Sequence, residues 1–282
     1  MSITTSYVKP RTVEEAVAIL AAGEARILSG GTDFYPALGD RVVRGAVVDV
    51  SALQDLRGVS SDSRYFRIGG LTTWSEIMRA PLPRSFDALK SAAREVGSVQ
   101  IQNRGTVAGN LCNASPAADG VPPLLVLDAE VELTSQAGVR RMPLADFIVG
   151  NRKTCRKQDE LLTAVLIPRT ADDGKSVFLK LGARRYLVIS ISMVAVVVQE
   201  EDGKIRKARI AVGSCSAAAQ RLNALEGHLA GVSMRDDLGA AVKPEHLSSL
   251  SPIDDVRATA EYRIDASLRL VRRALNLCVD NI

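Results

Sequence analysis

Two glycine-rich loops hold the residues of this chain best placed to do chemistry. The first, Ser29-Gly30-Gly31-Thr32-Asp33, follows the apolar stretch Ala25 to Leu28 and leads into Phe34. The second, Gly105-Thr106-Val107-Ala108-Gly109-Asn110, is followed by Asn113-Ala114-Ser115-Pro116-Ala117-Ala118-Asp119. Glycine lets a backbone approach a ligand closely, and paired glycines reach positive φ, so that successive N–H groups converge on an anion. Thr32 and Thr106 add hydroxyls, Asn110 an amide, and Asp119 a carboxylate able to accept from ribose hydroxyls. This is chemistry for holding a pyrophosphate, not for moving protons. Each loop also has an ordinary alternative. A Gly-Gly pair after a strand is commonly a turn, and Asn113 to Asp119 is a helix start with Ser115 as cap and Pro116 at the first helical position. At the second loop the two readings are compatible, because a helix N-terminus also favours phosphate. Neither loop carries the GxGxxG or GxxxxGK[ST] spacing of the common nucleotide folds.

Other chemistries find little support. The two histidines, His228 and His246, have no partner at metal-ligand spacing, and the four cysteines lie too far apart for a CxxC or iron–sulfur ligand run. No catalytic residue and no metal ligand is assigned. The slight excess of 36 Lys+Arg over 32 Asp+Glu is spread along the chain without an aromatic-interleaved basic stripe, so nucleic acid is not an expected partner. Met1 to Pro10 lacks a signal-peptide core, and Leu187 to Val198 is too short to span a bilayer. A cytoplasmic protein with reduced thiols and no membrane insertion is expected.

The elements that must position the loops follow from periodicity and punctuation. Thr12-Val13-Glu14-Glu15 is a capping box before Val13, Ala16, Val17 and Leu20 at helical spacing, with Gly23 as the stop. Strands are predicted over Ala25–Leu28, Ala46–Val50, Tyr65–Ile68, Glu130–Thr134 and Leu161–Pro168. Thr73-Trp74-Ser75-Glu76 opens a second helix, Ser85 to Glu95 forms a third stopped by Gly97, and an apolar helix surrounds Leu124 to Leu127. Asp172-Asp173-Gly174 marks a domain boundary. Beyond it, Ile189–Gln199 and Lys204–Ser214 flank Asp202-Gly203, a direct hairpin signal. Helices over Ala217–Ala230 and Asp254–Cys278 complete the module. The expected organisation is residues 1–172, in lobes of about 1–55 and 56–172, followed by residues 173–282.

With these motifs in place, the chain resembles the FAD-binding subunits of molybdenum hydroxylases, a family that includes the medium subunit of aerobic carbon monoxide dehydrogenase and the flavin domain of xanthine dehydrogenase. The resemblance rests on the two glycine loops in this order, on Leu161-Leu162 before a strand ending in Pro168, on Phe178-Leu179-Lys180 before Arg184-Arg185, and on Ala260-Glu261-Tyr262-Arg263 with Arg272-Arg273-Ala274-Leu275. It implies an α+β fold: a two-lobed FAD-binding domain of the PCMH, vanillyl-alcohol-oxidase-like type, then a small α+β domain with a three-stranded antiparallel sheet. It implies FAD as cofactor, with Ile27, Leu28, Ser29, Gly30, Gly31, Thr32, Asp33 and Phe34 around the pyrophosphate together with Thr106, Val107, Ala108, Gly109 and Asn110. Ser115 and Asp119 would bind toward the adenosine half, and Leu161 and Lys180 would lie near the flavin ring, where a cation stabilises reduced flavin. The implied partners are an iron–sulfur small subunit and a molybdenum-cofactor large subunit in a heterotrimer, itself open to dimerisation. The implied role is transfer of electrons from [2Fe–2S] clusters to an outside acceptor. Two other readings stay open, a self-contained flavin oxidase and a scaffold subunit without FAD. Ala108 stands where relatives often have glycine, Gln102 where many have arginine, and Tyr186 to Ser190 lack the acidic residues of xanthine dehydrogenase-like sequences.

Overall fold

The computed structural model describes residues 6–280. The reading of Met1 to Pro10 therefore falls partly on residues outside the described ones. Thr12 caps helix α1 (Val13–Ala22) by accepting the Glu15 N–H, while Glu15 takes the N–H of Arg11 instead of returning a bond to Thr12. The buried stripe of α1, Ala16, Val17 and Leu20, packs with Val48, Val50, Leu53, Leu56, Leu71 and Leu161 in a small apolar cluster. Beside it lies a parallel sheet of β1 (Ser6–Val8), β2 (Ala25–Leu28) and β3 (Ala46–Asp49), ordered β1-β3-β2. Strand β1 escapes sequence reasoning because all three of its residues are exposed and carry no alternation.

The next lobe is built on β4 (Val59–Ser61), β5 (Tyr65–Gly69), β6 (Glu130–Ser135), β7 (Gly138–Pro143) and, after a small ribbon of β8 (Ile148–Gly150) and β9 (Lys153–Thr154), β10 (Leu161–Pro168). The sheet order is β4-β5-β10-β6-β7, with β10 antiparallel to both β5 and β6. That central place buries β10 on both faces, so its apolar run barely alternates. Helices α2 (Trp74–Arg79), α3 (Asp87–Glu95), α4 (Val99–Gln102), α5 (Val107–Asn113), α6 (Val121–Val126) and α7 (Leu144–Phe147) complete this lobe. The capping box of α2 closes in both directions: Thr73 Oγ1 accepts from Glu76 N and Glu76 accepts from Thr73 N. The helix start placed at Ser115 and Pro116 is corrected. Ala114 turns left-handed and residues 115–118 form a turn. The helix begins only at Val121, where Pro122 and Pro123 suit a first turn that needs no N–H acceptor.

The C-terminal sheet has four antiparallel strands, not the three implied by the resemblance: β11 (Lys175–Leu181), β12 (Ser192–Glu201), β13 (Lys204–Gly213) and the two-residue β14 (Gln220–Arg221). Strand β14 occupies the start of the segment expected to be helical, so helix α8 shortens to Asn223–Leu229. Helix α9 (Ala260–Asp280) starts six residues later than expected. The Asp255 carboxylate instead takes the N–H groups of Arg257 and Ala258 and holds that stretch in a turn. The hairpin forms as predicted, with Asp202 and Gly203 both at positive φ.

Strand β12 is covered on both sides. Met193, Ala195 and Val197 join the core of the β4–β10 lobe, while Val194, Val196 and Val198 pack under α8 and α9. The period-two alternation of one strand thus joins two cores. Trp74 sits at the other end of the first of these cores, 1 % exposed. Trp74→Ala should lower stability by roughly 3–5 kcal/mol, seen as an earlier denaturant midpoint by circular dichroism.

Candidate functional site

The loop after β2 and the loop leading into α5 meet directly. A Cβ placed on Gly30 would lie 1.9 Å from the Arg104 carbonyl oxygen, so only glycine lets the two backbones touch. Ser29 and Thr106 hydroxyls pair across the contact at 3.0 Å. Trp74 supports it from behind: its backbone N–H donates to Gly105 O at 3.3 Å, and its indole lies where a Cβ on Gly120 would come within 2.3 Å.

Alongside this contact runs a cleft of about 960 Å3, at the upper end of the roughly 300–1,000 Å3 usual for small-molecule and cofactor sites. Of the residues singled out from the sequence, Ile27, Ser29, Gly30, Gly31, Thr32, Asp33, Phe34, Thr106, Ala108, Gly109, Asn110 and Leu161 line it. Leu28 and Val107 sit in the packing behind the loops, 6 % and 0 % exposed. Ser115 accepts the Ala117 N–H outside the lining. Asp119 and Lys180 bind each other.

The two loops differ in what they offer. In the second, Val107 N donates to Thr72 O, Ala108 N to Gly70 O, Gly109 N to Thr106 Oγ1 and Asn110 N to Thr106 O, so these amides are spent inside the protein. In the first, the N–H groups of Gly30, Gly31, Thr32, Asp33 and Phe34 have no acceptor among the described residues. Gly31 takes φ of +79°, the conformation that turns successive amides toward one point. Asn110 Oδ1 is buried and without a hydrogen-bond partner, and a buried polar atom left so costs about 1–3 kcal/mol unless a ligand or water meets it.

The β8–β9 ribbon supplies part of the cleft that the sequence did not announce. Val149, Arg152, Lys153, Thr154 and Arg156 line it, with Arg26 of β2 stacked 4.6 Å over the Phe34 ring. Arg152 reaches Asn113 and Arg156 takes the carbonyls of Lys157, Gln158 and Glu160. Only Asp33 among the lining residues is acidic, so the field favours an anion. Cys112 also lines the cleft, its thiol pushed up to about 11 by burial and so kept neutral. The signal available in the sequence is three cations, Arg152, Lys153 and Arg156, within five residues.

Asp119 and Lys180 form a buried ion pair at 2.7 Å, each side chain less than a tenth exposed. Ser190 Oγ donates to the other carboxylate oxygen at 2.6 Å, and Lys180 Nζ also donates to Glu95 O at 3.3 Å. Burial pushes the Asp119 carboxyl upward, against the pull of Lys180 and Ser190. The pair joins the loop after α5 to strand β11 of the C-terminal sheet.

Comparison with known proteins fits this geometry. The family model for the FAD binding domain in molybdopterin dehydrogenase matches residues 2–170, and that for the CO dehydrogenase flavoprotein C-terminal domain matches residues 178–277. The nicotinate dehydrogenase FAD-subunit of Eubacterium barkeri is 36% identical over 71% of this chain and 70% of its own. The nicotine 6-hydroxylase medium subunit of Paenarthrobacter nicotinovorans is 31% identical over 95% of both chains. Among solved structures, the carbon monoxide dehydrogenase of Hydrogenophaga pseudoflava superimposes with a TM-score of 0.89 at 26% identity over 96% of each chain.

Removing one partner of the Asp119–Lys180 pair strands the other charge in the interior, which costs about 3–5 kcal/mol. Asp119→Asn and Lys180→Met should each lower the thermal midpoint sharply, and the double variant should recover much of the loss. Additive losses in the double-mutant cycle would show that the two groups do not interact.

Proposed function

Because this chain belongs to the family of FAD-binding subunits of molybdopterin dehydrogenases, we propose that it holds FAD in the cleft beside the Gly30–Arg104 contact and serves as the electron-transfer flavoprotein subunit of a molybdenum hydroxylase complex. The unclaimed amides of residues 30–34 carry the reading. A pyrophosphate needs converging donors, and this loop brings five successive free ones to the cleft. Ile27 to Phe34 then hold the diphosphate, with Thr32 adding a hydroxyl and Arg26 a charge. Thr106, Ala108 and Gly109 form the facing wall, and Asn110 offers its orphaned Oδ1 to a donor on the cofactor. Leu161 supplies apolar surface. Asp119 and Lys180 are paired outside the lining and brace the wall behind the cleft.

When bound, FAD takes electrons singly and gives them up as a pair. The residues around it need only bind it, orient it and shield it, which suits a cleft with one acidic side chain and a thiol kept neutral. The names of the relatives, FAD-subunit and medium subunit, belong to a dehydrogenase and a hydroxylase built of several subunits. On that likeness the partners of this chain are an iron–sulfur subunit that supplies electrons and a molybdenum-cofactor subunit where substrate is oxidised.

The purified chain should be yellow and carry one FAD. Gly30→Ala drives a methyl into the Arg104 carbonyl and should lower FAD affinity about tenfold or more, read by flavin fluorescence titration. Gly227→Ala, on α8 with nothing within 4 Å, should leave it unchanged. A colourless protein that refuses added FAD would refute the assignment, and recovery of the native complex without an iron–sulfur subunit would refute the partnership.

A further inference from the structure

A second, smaller cavity of about 220 Å3 lies on the other side of the same loop contact. Ser29, Gly30, Leu71 and Thr106 line both cavities, so a thin strip of chain separates them. Lys9, Arg57 and Arg104 line the smaller one, and no carboxylate does.

Two carboxylates stand at its rim, each paired with one of these cations. Asp49, 3.6 Å from Lys9, is held by the Tyr7 hydroxyl and by Ser51 N–H at 2.9 Å. Glu76, 3.0 Å from Arg57, takes both the N–H and the hydroxyl of Thr73, at 2.7 and 2.8 Å. The Arg104 guanidinium has no acceptor among the described residues. Asn103, whose Oδ1 accepts from Ser75, has its amide N–H groups left to give.

A concavity lined by three cations against two rim carboxylates keeps a net positive charge, and Arg104 is the cation in it without an ion-pair partner among the described residues. Surface charges of this kind usually sit beside their counter-ions and contribute little; here Arg104 has none and the other two are shared. An arginine fork matches two oxygens of a tetrahedral oxyanion at once.

We propose that this cavity is a second anion site, distinct from the large cleft, that takes the phosphate group of a small phosphorylated molecule or free phosphate itself. Arg104 supplies the fork, Lys9 and Arg57 supply charge, and Asn103 completes the donor set. The site rests on these side chains, and the FAD reading enters only through the choice of test.

The test uses the FAD-loaded chain, so that the large cleft is filled, and titrates inorganic phosphate by calorimetry at constant ionic strength against chloride. One phosphate should bind, and Arg104→Ala, which keeps the backbone carbonyl that meets Gly30, should weaken it about tenfold or more. Equal binding by Arg104→Ala, or no binding beyond that of chloride, overturns the site. AMP in place of phosphate separates the sources: tighter AMP binding that also depends on Arg104 supports a nucleotide, and equal binding supports the free ion. A chain that takes up no FAD would sink the flavoprotein reading alone, since the same Arg104 comparison can be made on the chain without it.

Discussion

The close approach of Gly30 to the Arg104–Gly105 peptide is the constraint on which the rest of the site depends. It joins the parallel lobe, through the loop after β2, to the antiparallel lobe, through the loop before α5, with no side chain between them. Two backbones in van der Waals contact fix the relative position of the lobes more tightly than two side chains would, because no rotamer can relax the distance. The Ser29–Thr106 hydroxyl pair and the Trp74 indole are consequences of that approach. So are both cavities, since each is a face of the same strip of chain.

The same contact explains why two loops of similar composition do different work. Residues 106–110 begin a helix packed against Gly70 and Thr72: the Val107 and Ala108 amides hold it to the lobe, and those of Gly109 and Asn110 close its first turn on Thr106. Residues 30–34 leave the strand, and their amides meet no carbonyl among the described residues. One loop provides rigidity and the other provides donors. Glycine serves both ends, by permitting contact at position 30 and by permitting positive φ at position 31.

Much of this was legible from residue types. The capping pairs Thr12–Glu15 and Thr73–Glu76, the Asp202-Gly203 hairpin and the glycine loops are local signals, in which a few neighbouring residues satisfy one another's backbone groups. What stayed hidden depends on contacts distant in the chain. Strand β1 is recognisable only through its parallel partner β3, and β14 only through β13. The cationic ribbon of residues 149–156 resembles any charged turn until the fold lays it along the cleft. Asp119 and Lys180 each carried a plausible role taken singly, and nothing in their spacing of sixty-one residues shows that each is the other's partner.

That pairing bears on how the C-terminal sheet is attached. Strand β12 already binds the two modules through apolar side chains on both faces, a contact that gives affinity without direction. A buried charge pair adds what apolar packing lacks, because any sliding of the sheet would leave an ammonium and a carboxylate unpaired in the interior. Arg209, fully buried on β13, reaches Asp128 at 2.8 Å across the same seam, there with the carboxylate a third exposed. Two such pairs define a register, and the register sets where Lys180 and the loop after β11 stand relative to the wall of the cleft. The C-terminal module therefore acts on the site through position, and the charges buried in the seam make that position unique.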